Sequence, residues 1–289
     1  QLDHLSPGMQ MQLLKNTYLG IKRHPGKFVR DMFLTYSVFW TLIESTSYFF
    51  PKEQYQGTPG YLALILIGLL IACIRAYPSS SINFKIAHSN TKVTVLFGDL
   101  LQRKGHIAIP VNEFFDSELG IPVSPKSLHG IVINTFFGGH PASFDQLIAA
   151  DLANTPGQDT QRIGGKIRQY PIGTTAAIKT NSHQFLLFAL SKTDIVTSKA
   201  SATVANLVDA LEGLCAKARV VLGGEKLVLP LVGSGLSGTG LPANQLLQLI
   251  LLVLVNETKK NQFAFDVEIV IHGDRFDEVD LSLVENLWK

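Results

Sequence analysis

The sequence predicts an α/β chain in which a mixed sheet flanked by helices follows an N-terminal hairpin of two apolar helices. Three observations predict it. Of the 289 residues 46% are hydrophobic and only 17% charged, and the excess is concentrated in two runs before residue 78. From residue 82 onward, short β-branched runs alternate with helical periodicity, punctuated by Gly and Pro. Late in the chain an apolar strand pattern, Val228–Val232, runs into a glycine turn and then a helix.

The bulk numbers narrow the class of partner. A mean hydropathy of +0.21 is high for a soluble chain and points to a membrane segment joined to a soluble domain. The net charge of +2, without a basic stripe interleaved with aromatics, argues against nucleic acid. Two cysteines, Cys73 and Cys215, are too few for a disulfide framework and suit a reducing, cytosolic face.

Residues 1–30 combine Lys15, Lys22, Arg23, Lys27 and Arg30 with Met9, Met11, Leu13, Leu14 and Tyr18. This pattern reads as a short interfacial helix broken near Pro25-Gly26, or else as a basic leader. Residues 31–77 read as the hairpin, with spans at about 32–50 and 60–77. Each would reach roughly 27–30 Å as a helix, close to a hydrocarbon core. Tyr48, Phe49 and Phe50 on one side, with Tyr61 and Tyr77 on the other, stand where interfacial anchors stand. The connector 51–59 holds one lysine while both outer flanks are basic, which places both termini in the cytoplasm. Glu44 interrupts the first run and would need a neighbouring helix or a proton, which favours self-association. The competing reading is a helical hairpin buried within a soluble domain.

Residues 78–289 form the second domain, entered through the linker Tyr77-Pro-Ser-Ser-Ser81. Strands are expected at 82–88, 91–97, 106–111, 129–135, 173–179, 184–190, 226–232 and 265–272. Helices are expected at about 143–154, 198–219, 241–257 and 277–288. Gly233-Ser234-Gly235-Leu236-Ser237-Gly238 matches G-x-G-x-x-G between a strand and a helix. Such a turn lets a ligand approach the backbone, and the following helix start suits a phosphate. A dehydrogenase half-domain needs a further strand ending in an acidic residue about 20 positions on. Here that position falls near Glu257, inside the helical pattern, and nearly the whole sheet precedes the loop. Chain order disfavours the dehydrogenase.

Other segments carry a different resemblance. Val93-Thr-Val-Leu-Phe-Gly98-Asp99-Leu100 looks like the strand and Gly-Asp-Ile turn that open a macro domain. Ile107-Ala-Ile-Pro-Val-Asn112 is similar to that family's strand ending in asparagine. Pro171–Ile178 and Phe185–Leu190 resemble its middle strands, Leu229–Gly238 its phosphate loop, and Glu268–His272 its last strand. The ordered set covers roughly residues 82–289. The resemblance implies an ADP-ribose derivative as ligand. Asp99 and the backbone of Leu100 would meet adenine, His272 would stack on it, and Asn112 would touch the distal ribose. Gly233, Ser234, Gly235, Leu236, Ser237 and Gly238 would hold the pyrophosphate. The family's asparagine-rich stretch with a glycine triplet is replaced by Asn112-Glu-Phe-Phe-Asp116 and Ser124-Pro-Lys-Ser-Leu-His129-Gly130, so the distal end would meet Phe114, Ser127 and His129. Each position also has a structural reading: Phe114 in the core, His129 ending a turn, Asp99 capping the short helix after it. Arg162, Lys166 and Arg168, around Gly164-Gly165, would either steer an anion or lie on a solvated loop. No H-E-x-x-H, paired-cysteine or G-x-S-x-G pattern occurs, so neither a metal, a resident cofactor nor serine-hydrolase chemistry is expected.

A membrane hairpin followed by a divergent macro domain resembles the effectors of type II Thoeris anti-phage systems. That resemblance implies a bacterial inner-membrane sensor and not an enzyme. It would take a signalling nucleotide of the ADP-ribose class, histidine-linked and made by an NAD-consuming TIR enzyme. It would then self-associate and damage the lipid bilayer. The alternative is a membrane-tethered macro-domain ADP-ribosyl hydrolase.

Overall fold

The computed structural model describes residues 6–46, 57–235 and 238–288. The chain divides into two units, 1–79 and 80–289.

The first unit is helical: α1 Pro7–Arg23, α2 Pro25–Thr46 and α3 Thr58–Ala76. The break between α1 and α2 falls at His24, because Pro25 is tolerated only at a helix start. Small residues permit close crossings. A side chain on Gly20 would run into the carbonyl of Ala76, and Gly68 of α3 lies against the Met32 carbonyl. Polar groups line the inside: Asn16 donates to the Tyr77 hydroxyl at 3.1 Å, and Thr35 donates to the Asp31 carbonyl at 2.7 Å. Leu62, Leu66, Leu70 and Ile74 of α3 are instead exposed. Among the described residues, α3 is the one helix long and apolar enough to cross a membrane. The second expected span lies at this helix, and the first is not found among the described residues. Lys27, Arg30 and Asp31 stand at the start of α2 and Glu44 near its end. The far end of the expected first span with its anchors Tyr48, Phe49 and Phe50, and most of the connector, lie outside the described residues.

The second unit is a mixed sheet. Its strands are β1 Ser81–Lys85, β2 Lys92–Phe97, β3 His106–Asn112, β6 Thr175–Lys179, β7 Gln184–Thr193, β8 Ala200–Ser201, β9 Leu227–Pro230 and β10 Asp266–Ile271. β4 Gln158–Asp159 and β5 Arg168–Gln169 form a separate small ribbon. The sheet order is β1-β2-β10-β9-β3-β7-β6, with β8 on β7. The pairs β2–β10, β10–β9, β9–β3 and β3–β7 are parallel. β1 and β6 close the edges antiparallel. Strand alternation splits the core in two. Phe185 and Leu187 of β7 face α4 Leu128–Phe137 and α5 Pro141–Asp151. Leu186 and Phe188 face the other layer, α6 Val204–Val221, α7 Ala243–Lys260 and α8 Leu281–Trp288. A buried carboxylate on β10, Glu268, is matched by Arg103 and by Lys226 at 2.7 Å.

One expected strand, 129–135, is a helix. Its Ile-Val-Ile run favours a strand locally. The tertiary fold buries His129, Gly130, Val132 and Ile133, a helical spacing, and Ser127 accepts from Gly130 N at 3.0 Å as an N-cap. Gly138, at φ 62°, ends the helix in the left-handed region. Packing under the sheet outweighs propensity here.

Candidate functional site

The carboxyl ends of the parallel strands meet at a cleft, where ligands bind in open α/β sheets. β9 pairs with β3 only at His106 and Ile107, so pairing between them ends well before their carboxyl ends. Pro110 of β3 and Pro230 of β9 line the opening. There a cavity of about 450 Å3 is walled by Gly98-Asp99-Leu100 after β2, Leu231–Gly235 after β9, and His272 after β10. Asp99 and His272, 173 positions apart in sequence, thus line one cavity.

Six of the predicted positions come together in this cavity: Asp99, Leu100, Gly233, Ser234, Gly235 and His272. Asp99 does cap the short turn after it, accepting from Leu101 N at 2.9 Å through Oδ1. Its exposed carboxylate keeps Oδ2 for a further donor. His272 caps the next turn, accepting weakly from Asp274 N at 3.4 Å, with its ring largely in solvent. Gly233, at φ 82°, adopts a backbone conformation that side chains disfavour. A side chain on Gly235 would project into open space. Ser234 Oγ is turned inward, donating to the Leu231 carbonyl at 2.8 Å. Gly238 is absent from the wall. It closes the loop, its N–H donating to Gly235 O at 3.0 Å, and a side chain there would strike the Gly233 carbonyl. Leu236 and Ser237 lie outside the described residues. The start of α7 does not line the cavity, so the expected contribution of that helix N-terminus is corrected. Seven residues of sequence separate Gly235 from Ala243.

Asn112, Ser127 and His129 line a second cavity of about 330 Å3 with Ser191 and Lys199. Pro110 borders both cavities, and the first turn of α4 turns Leu128 to one and Ser127 and His129 to the other. Asn112 is held in place by hydrogen bonds to its own turn. Its Nδ2 donates to Asp116 Oδ2 at 2.8 Å, and its Oδ1 accepts from the N–H groups of Phe114 and Asp116. The Ser127 hydroxyl is likewise committed to Ser124 O and Gly130 N. Phe114 is a core residue that lines neither cavity, lying under the Arg162 guanidinium at 4.2 Å. His129 is enclosed against Phe144, and its Nε2 has no partner.

Burial, helped by nearby Lys166, pushes the pKa of His129 down to about 3. The ring is therefore neutral in the fold while an unfolded chain takes a proton near pH 6.5. Its contribution to stability is complete above that pH and is lost as pH falls from about 6.5 toward 3. Urea denaturation across this window should show the parent chain losing up to ~1.4 kcal/mol per pH unit more than His129→Gln.

Arg162 and Lys166 do not steer an anion. The Arg162 side chain is fully buried against the equally buried Asp116, Nη1 to Oδ2 at 2.9 Å. Lys166 N donates to Asp116 Oδ1 at 2.7 Å, and its ammonium reaches Phe115 O and Asp145. Together they hold the turn in which Phe115 takes φ 52°. Only Arg168 keeps an exposed pairing, with Asp159 at 3.4 Å. Sequence reasoning missed Arg275, which lines the first cavity and donates to the Ser234 carbonyl at 2.8 Å. Its position just beyond the last strand, level with the glycine loop, was the available signal.

A mixed sheet with a cleft over its carboxyl ends, bounded by an acidic turn and a glycine loop, is a macro-domain architecture. Residues 93–272 match the family described as Thoeris protein ThsA, Macro domain, and the chain belongs to that family. Among solved structures it is similar to the Oceanobacillus iheyensis macrodomain with ADP, at 10% identity and TM-score 0.48, over 72% of this chain and 96% of that one. It is also similar to the Trypanosoma brucei macrodomain in complex with ADP-ribose, at 10% identity and TM-score 0.40, over 62% and 63%. A comparison with curated proteins finds no match.

Proposed function

We propose that this chain senses an ADP-ribose-type signalling nucleotide through its macro domain and passes the signal to its N-terminal helical unit. The observation that carries the reading is the cavity in which the Gly233–Gly235 backbone, Asp99 and His272 stand together. It offers an acceptor and a ring to a base, with a glycine loop to a diphosphate. The neighbouring cavity takes the distal part of the ligand, the group that would distinguish a histidine-linked signal from ADP-ribose itself. A TIR-type NAD-consuming enzyme is the proposed source.

The exposed apolar face of α3 is the proposed lipid contact, at a bacterial inner membrane. A ligand that binds one assembly state more tightly shifts the population toward it, so binding would drive self-association and bilayer damage. The hydrolase reading has less support. None of the described residues lining the second cavity is a carboxylate, and its histidine is held neutral and enclosed.

The test uses the full chain in liposomes. ADP-ribose and histidine-linked ADP-ribose are titrated while binding, particle mass and dye release are followed. Binding with growth in mass and leakage is expected. Binding to monodisperse protein in intact liposomes would overturn the effector reading, and turnover of an ADP-ribosylated substrate would favour the hydrolase.

A further inference from the structure

The first cavity is lined mostly by apolar side chains and backbone. Among the described residues lining it, Arg275 is the only arginine or lysine. Its guanidinium is placed by two bonds, Nη2 to the Ser234 carbonyl at 2.8 Å and Nη1 to Glu278 Oε2 at 2.7 Å. The backbone holds its base, since Arg275 N donates to His272 O at 3.0 Å, and Arg275 O accepts from Glu278 and Val279. The side chain is about one third exposed, at the mouth of the loop and not in the core.

A diphosphate against this loop would meet carbonyl oxygens as well as N–H groups. Ser234 O is masked by Arg275, and a planar guanidinium with five donors can turn from a carbonyl to a phosphate oxygen with little rearrangement. Glu278, more than half exposed, competes for the same charge. We propose that Arg275 is the anion-recognising residue of this cavity, directed at the diphosphate of a nucleoside diphosphate ligand, and that Glu278 weakens binding by holding Arg275 back. This rests on the nucleotide reading of the cavity.

The experiment is calorimetry of ADP-ribose with the full chain in detergent, as parent, Arg275→Ala, Arg275→Lys, Glu278→Gln and the Arg275→Ala/Glu278→Gln pair. Arg275→Ala should lose about 10- to 100-fold in affinity, the scale of a charged hydrogen bond, with Arg275→Lys between. Glu278→Gln should tighten binding about 3-fold in the parent, a gain on the scale of one exposed ion pair, and leave the Arg275→Ala chain unchanged. A merely structural role for Arg275 predicts the reverse sign for Glu278→Gln, because the ion pair holding the turn is removed. Weaker binding by Glu278→Gln, or an Arg275→Ala affinity within twofold of the parent, overturns the assignment while the nucleotide reading stands. A parent chain that binds no ADP-ribose overturns the nucleotide reading and the assignment with it.

Discussion

Gly235→Trp should abolish ADP-ribose binding, by ~100-fold or more, while leaving the melting temperature close to that of the parent chain. The position separates site from scaffold. A Cβ on Gly235 meets nothing within 4 Å, and its backbone lies outside the positive-φ region that excludes side chains. An indole there extends from the wall of a cavity of about 450 Å3. It would crowd that cavity at little cost to the fold. An aromatic ring of this size takes up a substantial part of the volume a nucleotide needs, and a 100-fold loss is only about 2.7 kcal/mol. Calorimetry and thermal melting on the same preparation check both halves. Undiminished affinity would show that the ligand sits elsewhere. Gly238 is a built-in contrast. A side chain there strikes the Gly233 carbonyl, so Gly238→Trp should lower the melting temperature as well as binding.

Asp116→Ala should cost about 3–5 kcal/mol of stability. Asp116 and Arg162 are both fully buried, and the carboxylate also accepts from Asn112 Nδ2 and Lys166 N. Removing it leaves a guanidinium enclosed without its counter-charge and frees the Asn112 amide. Two of the Arg162 nitrogens, Nε and Nη2, already lack partners, so little remains to compensate. Replacing Asp116 by Leu and Arg162 by Met together should recover much of the loss, because a buried pair is expensive to break and cheap to replace. Urea denaturation of the two variants and the parent chain decides it. Equal stability of Asp116→Ala and the parent chain would mean that the pair is solvated in solution.

These cases mark how far local pattern reaches. The glycine loop was legible because its meaning lies in consecutive residues: an apolar strand, then glycines at a turn. Asp99 and His272 were legible through their places at strand ends, since parallel strands bring all their carboxyl ends to one edge. The helix α4 was not, because Ile131–Ile133 carry a β-branched run whose helical burial only the sheet above them imposes. Asn112 and Phe114 were drawn to the ligand by their place in the chain, yet a buried carboxylate four residues beyond Asn112 claims its amide. Arg162, on a glycine-rich stretch, looked like surface charge, and its burial depends on a partner 46 residues away.

By itself the sequence determined the two-part organisation, the strand–turn–loop that makes the cleft, and the order of segments that identifies a macro domain. All three depend on periodicity and neighbours along the chain, where local sterics and burial act. The tertiary structure decided which charges are buried in pairs and which line a cavity. It turned Arg162 and Lys166 into a clamp and brought Arg275 to the glycine loop. It also enclosed His129 in neutral form. Desolvation and pairing set the role of a charged side chain, and both depend on groups distant in sequence that only folding brings within a few ångströms.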